Sequence, residues 1–222
     1  MSGKTWFRDP ARGTPDTVTA LGPADLTTTP RWDGEGPALT FDDGPDPRGT
    51  PAVLDALDRA GAVATFFVIA RAAEEHPGLL RRIERSGHRV GLHCDRHIRH
   101  TELDEAAIRR DTEQALERLA GLGVRPSLWR VPWGVQTDAT TRVAEEFGLT
   151  LVGWDVDTHD WRGDDGVDMF LRARPRLAGR SVVLAHDGIG PGARRADCEQ
   201  TARFVSLVTD HAARAGWGLS AL

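Results

Sequence analysis

Apolar and polar residues alternate in blocks from residue 36 to the end of the 222-residue chain. Short apolar runs rich in β-branched or aromatic residues are typical of buried strands. Such runs occur at residues 38–42, 62–69, 88–93, 126–131, 149–156, 181–186 and 217–222. Segments with helical periodicity lie between them, at residues 50–60, 71–86, 102–120, 137–147, 166–178 and 197–215.

This alternation of strand and helix predicts a parallel sheet flanked by helices. Seven strands and about six helices suit a single-domain α/β fold, either a barrel or an open doubly wound sheet. No GxGxxG sequence follows the first strand, and no GxxxxGK[ST] sequence occurs anywhere. The sequence therefore gives no support to nucleotide binding of those two kinds.

Residues 1–35 differ from the rest of the chain, because they are rich in Pro, Gly, Thr and Asp and show little periodicity. We expect an irregular segment that packs on a domain formed by residues 36–222. The first residues contain no apolar stretch of signal-peptide length, and no run approaches the ~18 apolar residues of a membrane span. The expected location is therefore cytoplasmic, without membrane association; a chain that had lost a leader would instead be secreted.

Composition narrows the function classes. The net charge is −5 and the isoelectric point is about 5.9, which argues against a nucleic-acid partner, since such surfaces usually carry a basic stripe. Hydrophobic residues make up 40% of the chain, enough for a core at this length. The two cysteines, Cys94 and Cys198, are too few for a disulfide framework, although one bridge stays open. Nothing in the composition indicates an oligomeric state.

Titratable residues collect where five of the predicted strands end. In parallel barrels the carboxyl ends of the strands are the edge where active sites are built. The sequence therefore predicts an active site at this edge. The residues concerned are Asp42 and Asp43; His93 and His97; Arg130; Asp157, His159 and Asp160; and His186 and Asp187.

Two adjacent carboxylates, Asp42 and Asp43, end the first apolar run. Neighbouring side chains of a strand point to opposite faces, so the two groups are expected to serve different purposes. One interpretation is a polar turn with a helix cap. The other is a metal ligand beside a proton acceptor.

The segment HCDRH, residues 93–97, offers a second part of a metal site. Two imidazoles four residues apart on a helical turn face the same way and can share one cation, with Asp43 as a third ligand. Two surface histidines are the alternative. Two His and one carboxylate suit zinc by default, and also suit Fe, Co, Ni or Mn. Cys94 is expected to be a small packing residue, because a strand neighbour of a ligand points away from the ligand; a soft extra ligand is the alternative, since a thiolate favours zinc.

Arg130 and His186 are candidates for catalysis. The Arg130 guanidinium can hold a catalytic carboxylate ionised, and a surface ion pair is the alternative. His186 can act as a general acid if a neighbour such as Asp160 raises its pKa, and a core histidine is the alternative. Trp133, in the segment RVPWG, can stack on a sugar ring or simply pack in a loop.

Five segments, taken in order, resemble the polysaccharide deacetylases of carbohydrate esterase family 4, the NodB-like domain. The resemblance covers residues 36–222, and the second segment carries Cys94 where the family usually has Ser or Thr. The segments are TFDDGP at 40–45, HCDRH at 93–97, RVPWG at 130–134, DTHDW at 157–161 and LAH at 184–186.

The resemblance implies a distorted (β/α)7 barrel with parallel strands in a single domain. It also implies that the backbone N–H of Trp133 stabilises the developing oxyanion. The implied site residues are the metal ligands Asp43, His93 and His97, the general base Asp42 with its partner Arg130, the general acid His186 with Asp160, and the substrate-facing residues Trp133, Trp161 and Leu184.

The expected activity is metal-dependent N-deacetylation of an N-acetylated sugar, either an oligosaccharide or a small sugar conjugate, to an amine and acetate. The absence of a secretion signal favours an alternative, in which the substrate is a small non-sugar amide or imide such as a natural-product intermediate. A second alternative is a non-catalytic carbohydrate-binding relative. Such a relative usually lacks the base or the acid, whereas Asp42 and His186 are both present here.

Overall fold

The computed structural model of the protein describes residues 19–20 and 36–222. The strands in these residues are β1 (Thr19–Ala20), β2 (Ala38–Asp42), β3 (Thr65–Ile69), β4 (Arg89–Cys94), β5 (Leu128–Trp129), β6 (Val135–Gln136), β7 (Thr150–Leu151), β8 (Val156–Asp157) and β9 (Val182–His186). The α-helices are α1 (Thr50–Ala60), α2 (Ala70–Glu75), α3 (Pro77–Arg85), α4 (Glu105–Gly121), α5 (Asp138–Glu146), α6 (Gly166–Ala173) and α7 (Glu199–Ala215).

Seven of the strands form one sheet, in the order β7-β5-β4-β3-β2-β9-β8, and every neighbouring pair in it is parallel. The sheet curls into a half-barrel, with β7 and β8 at its two edges. This arrangement confirms the predicted single-domain α/β fold of the distorted (β/α)7 type. All strand ends that carry the candidate residues lie on the same edge of the sheet, because parallel strands run in one direction.

Two strand predictions are wrong. The run at 149–156 is not one strand: β7 and β8 lie at opposite edges of the sheet, and the chain crosses between them at Val152–Asp155. The run at 217–222 has no regular structure. It was predicted as a strand because it is apolar, and its last residue, Leu222, is buried in a hydrophobic cluster while its backbone N–H donates to Thr65 Oγ1 at 3.0 Å.

The helix predictions are confirmed, with one division. The segment predicted over 71–86 forms α2 and α3, which are separated at Pro77, a residue that lacks the N–H needed to continue a helix. Helix α4 begins after Asp104, whose side chain accepts a hydrogen bond from the N–H of Ala107 at 2.7 Å. Helix α5 begins with a capping box between Thr137 and Thr140.

Residues 1–35 were predicted to be irregular and to pack on the domain. Of these, the structure describes Thr19–Ala20, which pair antiparallel with Val135–Gln136 just beyond Trp133. The rest of that segment lies outside the described residues, so its packing and the boundary at residue 36 stay predictions. No described helix combines the length and the apolarity that a membrane crossing requires.

Strand β2 is buried on both faces, and its side chains alternate between two hydrophobic clusters. Leu39 and Phe41 join the larger cluster, which includes residues of the helices, whereas Ala38 joins a smaller one on the other face. Thr40 and Asp42 share the face of Ala38, because strand side chains repeat with a period of two. The polar residues of β2 therefore enter the inner face of the sheet at its carboxyl edge.

Candidate active site

The candidate residues meet at the carboxyl edge of the central strands. Asp42 ends β2 and lies in register with His186, the last residue of the neighbouring strand β9. His93 lies near the end of β4, and Arg130 directly follows β5. The sheet therefore brings a carboxylate, two histidines and an arginine to one edge, as the sequence predicted.

Asp43, His93 and His97 form a compact cluster of potential metal ligands. Asp43 Oδ1 lies 3.3 Å from Nε2 of His93 and 3.1 Å from Nε2 of His97. One ligand atom from each residue falls within 4.8 Å of the others. Asp43 Oδ1 is buried and has no hydrogen-bond partner among the described residues, although a buried carboxylate oxygen normally has one. The donor set and this orphaned oxygen both fit a divalent cation.

The orientation of His93 suits a metal ligand. Its Nδ1 lies 2.5 Å from the backbone oxygen of Arg130, so Nδ1 carries the proton and donates it to that carbonyl. Nε2, the other ring nitrogen, then faces Asp43 Oδ1 at 3.3 Å. A second contact fixes the backbone, because the indole N–H of Trp129 donates to the His93 carbonyl at 3.0 Å. A ring held by a backbone carbonyl in this way is typical of ligating histidines.

The two histidines converge for a different reason from the one predicted. They do not share a helical turn: His93 belongs to β4, and His97 follows a bend after the strand ends. Below that bend, Asp111 on α4 accepts hydrogen bonds from the backbone N–H groups of Asp95 and Arg96, at 3.0 Å and 3.2 Å. A buried carboxylate on a neighbouring helix therefore shapes the loop that carries His97.

The side chains of Asp42 and Asp43 point in different directions because the backbone changes conformation at Asp43, and not through strand alternation alone. The strand ends at Asp42, and Asp43 has φ of 75°, in the left-handed region that aspartate tolerates better than most residues. Burial by itself would raise the pKa of the Asp43 carboxyl, but the neighbouring imidazoles of His93 and His97 lower it well below its ordinary value. The carboxyl is therefore ionised, as a metal ligand must be.

Asp42 and Arg130 form a buried ion pair on the inner face of the sheet. Arg130 Nη1 donates to Asp42 Oδ1 at 3.0 Å and to Thr40 Oγ1 at 2.7 Å. Burial lowers the pKa of Arg130, and the charge of Asp42 opposes that shift. Since an arginine stays protonated in proteins, it holds a fixed positive charge against Asp42.

Arg130 also donates hydrogen bonds to backbone carbonyls in the segment between the two edge strands, β7 and β8. Its Nη2 donates to the carbonyl of Gly153 at 2.9 Å, and its Nε donates more weakly to Val152 at 3.4 Å. Its guanidinium also stacks on the ring of Phe67, 4.3 Å from the ring centroid. The side chain therefore connects β2 to the segment between β7 and β8.

His186 and Asp160 form the other half of the site. His186 Nδ1 lies 2.7 Å from Asp160 Oδ1, and the backbone N–H of His186 donates to Asp160 Oδ2 at 3.0 Å. Burial would lower the pKa of His186, but the charge and hydrogen bond of Asp160 outweigh it and raise the pKa to about 10. Burial would raise the pKa of Asp160, but the charge of His186 outweighs it and lowers the pKa to about 2. The imidazole is therefore protonated at neutral pH.

Sequence reasoning missed the partners that hold Asp160. Its Oδ2 accepts hydrogen bonds from Arg195 Nη1 at 3.0 Å and from Thr201 Oγ1 at 2.8 Å. Arg195 lies in the irregular loop after β9, and Thr201 lies in the first turn of α7. Neither residue belongs to a recognised motif, and no periodicity places a loop arginine beside a strand-end carboxylate.

The predicted substrate-facing residues have mixed surroundings. Trp133 is half-buried with φ of 56°; its ring centroid lies 4.1 Å from that of His97, and the Arg99 guanidinium covers one face at 4.2 Å. Trp161 is half-buried beside the guanidinium of Arg162, 5.1 Å from the ring centroid. Leu184 is 5% exposed and belongs to neither hydrophobic cluster of the core.

The remaining strand-end residues show other contacts. Asp157 lies 3.2 Å from His159 in a partly exposed pair. Asp187 is buried, and its Oδ2 accepts a hydrogen bond from Thr50 Oγ1 at 2.5 Å. Burial raises the pKa of Asp187 to about 7.

Both cysteines are free and buried, so the disulfide that the sequence left open is absent. Burial raises the pKa of the Cys94 thiol well above its ordinary value, which disfavours the thiolate form that a metal would bind. Cys94 packs in β4 beside His93 and lies outside the ligand cluster, as expected for a strand neighbour of a ligand.

Sequence comparison relates the chain to deacetylases that act on acetylated sugars. The family profile described as polysaccharide deacetylase matches residues 33–152. A peptidoglycan-N-acetylglucosamine deacetylase from Bacillus cereus is 40% identical over 156 residues, which are 69% of this chain and 56% of that protein. A chitooligosaccharide deacetylase from Sinorhizobium fredii is 38% identical over 175 residues, covering 75% of this chain and 79% of that protein. The chain thus spans little more than half the length of the first relative.

Structure comparison identifies the same group. A family 4 carbohydrate esterase from Streptomyces lividans, solved in complex with acetate, superposes with a TM-score of 0.75 at 30% sequence identity. The superposition covers 85% of this chain and 92% of the esterase. The similarity therefore extends over nearly all of the residues that the structure describes.

Proposed function

This chain belongs to the polysaccharide deacetylase family, and from that premise we propose that it is a metal-dependent N-deacetylase. It would hydrolyse the acetamide of an N-acetylated sugar to a free amine and acetate. One observation carries the proposal: the cluster of Asp43, His93 and His97 lies at the same strand ends as a buried carboxylate, Asp42, and a protonated histidine, His186, which is in register with Asp42. Metal-dependent amide hydrolysis requires a general base and a general acid beside the metal ligands.

Asp43, His93 and His97 would hold the cation. A divalent metal bound there would lower the pKa of a water molecule and polarise the amide carbonyl. We propose zinc, because two imidazoles and a carboxylate with open positions are typical of catalytic zinc sites, and the same ligands accept Co, Ni, Fe or Mn.

Asp42 would act as the general base and accept a proton from the attacking water. Its carboxylate is available for this because Arg130 engages Oδ1 and fixes the orientation of the group. The water oxygen then bonds to the carbonyl carbon, and negative charge develops on the carbonyl oxygen. The backbone N–H of Trp133 would stabilise that charge; its left-handed backbone beside His97 supports the assignment, since such conformations cluster at functional sites.

His186 would act as the general acid. When the C–N bond breaks, the sugar nitrogen needs a proton, because an amine anion is too basic to leave. His186 carries this proton at neutral pH, since Asp160 raises its pKa to about 10. The balance is one amide and one water consumed, and one protonated amine and one acetate formed.

The names of the relatives and the residues around the site support a proposed substrate class. The two curated relatives are named for peptidoglycan N-acetylglucosamine and for chitooligosaccharides. We propose an oligosaccharide that contains N-acetylglucosamine, with Trp133 and Trp161 beside the sugar ring and Leu184 against the acetyl methyl. The position of Leu184, buried outside the hydrophobic core clusters and one strand repeat before His186, supports the last assignment.

The substrate assignment can be tested by measuring acetate and free amine released from N-acetylglucosamine oligomers and from a panel of non-sugar acetamides. We expect equal amounts of both products from the oligomers and much slower release from the panel. His186→Gln serves as the control for uncatalysed or contaminating hydrolysis. Faster turnover of the non-sugar amides would instead favour the alternative of a small-molecule amidohydrolase. The cytoplasmic location stays a separate prediction, to be tested by cell fractionation.

A further inference from the structure

The loop after β9, residues 187–198, contacts both halves of the site and has no role in the proposed mechanism. Its start lies against the metal cluster, because the Cα of Gly190 is so close to Asp43 that an added Cβ would stand 2.0 Å from Oδ2. Its end carries Arg195, whose side chain is 7% exposed. A charged side chain buried to this extent requires partners of its own.

Arg195 donates hydrogen bonds in two directions. Nη1 binds Asp160 Oδ2 at 3.0 Å and also contacts Thr201 Oγ1. Nη2 binds the backbone carbonyls of His186 and Gly188, both at 3.0 Å. The planar guanidinium therefore spans the carboxylate that faces the imidazole and the backbone that carries the imidazole. A lysine cannot form this pattern, because its three N–H donors all lie on one nitrogen atom, whereas the guanidinium donates from two nitrogens in a fixed plane.

These contacts fix both the orientation of the His186 ring and the path of the backbone that carries it. Asp160 sets the ring through Nδ1, and the carbonyls of His186 and Gly188 set the course of the backbone. Asp160 Oδ2 is also the acceptor for the His186 N–H, Thr201 and Arg195 together. Without Arg195, this fully buried carboxylate would lose its guanidinium partner, and the ring would lose its fixed support.

We propose that Arg195 is a positioning residue for His186, which it holds through Asp160 and through the backbone of the β9 end. This proposal rests on the proposed function, in which His186 protonates the leaving amine. In this proposal Arg195 acts on Asp160 and the backbone and not on the substrate, so its loss should slow the chemical step without weakening substrate binding. It should also leave the metal cluster occupied, because none of its hydrogen bonds involves Asp43, His93 or His97.

The test compares Arg195→Gln and Arg195→Lys with the neighbouring variant Arg194→Gln. Arg194 is exposed, and its side chain forms no ion pair or hydrogen bond with the residues that the structure describes. General acid catalysis typically contributes 10²–10⁴-fold, so partial loss of position should lower kcat on the order of 10- to 100-fold in both Arg195 variants. KM and the metal content per chain should stay within about twofold of the wild-type values, and Arg194→Gln should match wild type.

Chemical rescue separates positioning from general damage. In Arg195→Ala, guanidinium ions at sub-denaturing concentration should restore part of the lost kcat, because they can re-occupy the space between Asp160 and the two carbonyls. Arg194→Ala and the wild type should show no stimulation. Unchanged kcat in Arg195→Gln, or loss of metal together with activity, would overturn the proposal. So would the absence of any rescue in a folded Arg195→Ala protein.

A measurement that needs no enzymatic turnover tests the role of Arg195 separately from the proposed function. The Nδ1 proton of His186, shared with Asp160, should give a low-field proton NMR signal that is absent in His186→Gln. We expect this signal to broaden or disappear in Arg195→Gln and to persist in Arg194→Gln. If the wild type released no acetate from any substrate, the proposed function would fail, but this signal would still decide whether Arg195 positions His186; an unchanged signal in Arg195→Gln would contradict it.

Discussion

Asp42 and Asp43 are adjacent in sequence and face different partners. Asp42 Oδ1 accepts a hydrogen bond from Arg130 at 3.0 Å, whereas Asp43 Oδ1 faces the Nε2 atoms of two histidines. The sequence predicted two roles from strand alternation. The structure adds the left-handed conformation of Asp43, which turns its carboxylate away from the strand direction and which no local pattern indicated.

The two carboxylates should respond differently to the same substitution. Asp43→Asn should weaken metal binding at least 10- to 100-fold, which is the typical loss even for residues that only support a ligand. Asp42→Asn should keep the metal and lose turnover, since an amide cannot accept the proton of water. Metal analysis after dialysis and acetate release decide the outcome; equal loss of metal in both variants would contradict the assignment.

The pH dependence of activity should report His186. The protonated imidazole is the active form, so kcat/KM should fall as the pH rises through its pKa, which Asp160 raises to about 10. Asp160→Asn removes the charge that raises this pKa, and the alkaline limb should move toward neutral pH by about 1–3 units. A limb that stays in place in Asp160→Asn would assign it to a different group.

Among the secondary-structure elements, the loop after β9 is the part of the site that sequence reasoning missed. Irregular segments lack the periodicity on which such reasoning depends, and the contacts of this loop are long-range. Gly190 shows the consequence, because its missing side chain is what lets the loop approach Asp43. Such a requirement is visible only once the two segments are seen together.

Gly190→Ala should therefore weaken the metal site. Its Cβ would meet Asp43 Oδ2 at 2.0 Å, so that either the carboxylate or the loop must move. We expect metal affinity to fall about 10-fold or more, as for other disturbances of ligand orientation. Gly192→Ala is the matched control, because it strains the same loop at φ of 86° but its Cβ meets nothing within 4 Å. Equal metal affinity in the two variants, measured by competition with a chelator, would show that the approach of the loop does not matter.

The segment between β7 and β8 is the second feature that the sequence did not reveal. Its apolar residues suggested one strand, but the sheet opens there, and Arg130 supplies hydrogen bonds to the carbonyls of Val152 and Gly153. Hydrophobic periodicity cannot distinguish a central strand from a crossing between edges, because both are buried. The partner that satisfies the backbone lies more than 20 residues earlier in the chain.

Arg130 should consequently matter for stability as well as for catalysis. Arg130→Met leaves Asp42 as a buried charge without its partner, which typically costs about 3–5 kcal/mol of unfolding free energy. Denaturant unfolding would measure this loss in metal-free protein, so that ligand binding does not contribute. The double variant Arg130→Met/Asp42→Asn should recover part of the stability, because no charge is then unpaired. No recovery would indicate that the lost carbonyl contacts, and not the ion pair, dominate.

For the whole molecule, the sequence predicted a parallel α/β fold and the strand-end residues that the sheet brings together. Alternating strands and helices gave the parallel sheet, and five strand ends gave the candidate residues, which the sheet brings to one edge. What it could not give were the supports: Asp111 below the His97 loop, Thr201 and Arg195 behind Asp160. These residues act through tertiary contacts between elements far apart in sequence, which leave no local signature.

The central claim is that one cation, held by Asp43, His93 and His97, makes the molecule a deacetylase. The most direct test is acetate release from N-acetylglucosamine oligomers by protein stripped of metal with a chelator and then titrated with zinc. We predict negligible release without metal and recovery that saturates at one zinc per chain, with no recovery in His97→Ala at the same zinc concentration. Full activity in protein shown to be free of metal, or equal recovery in His97→Ala, would contradict the claim.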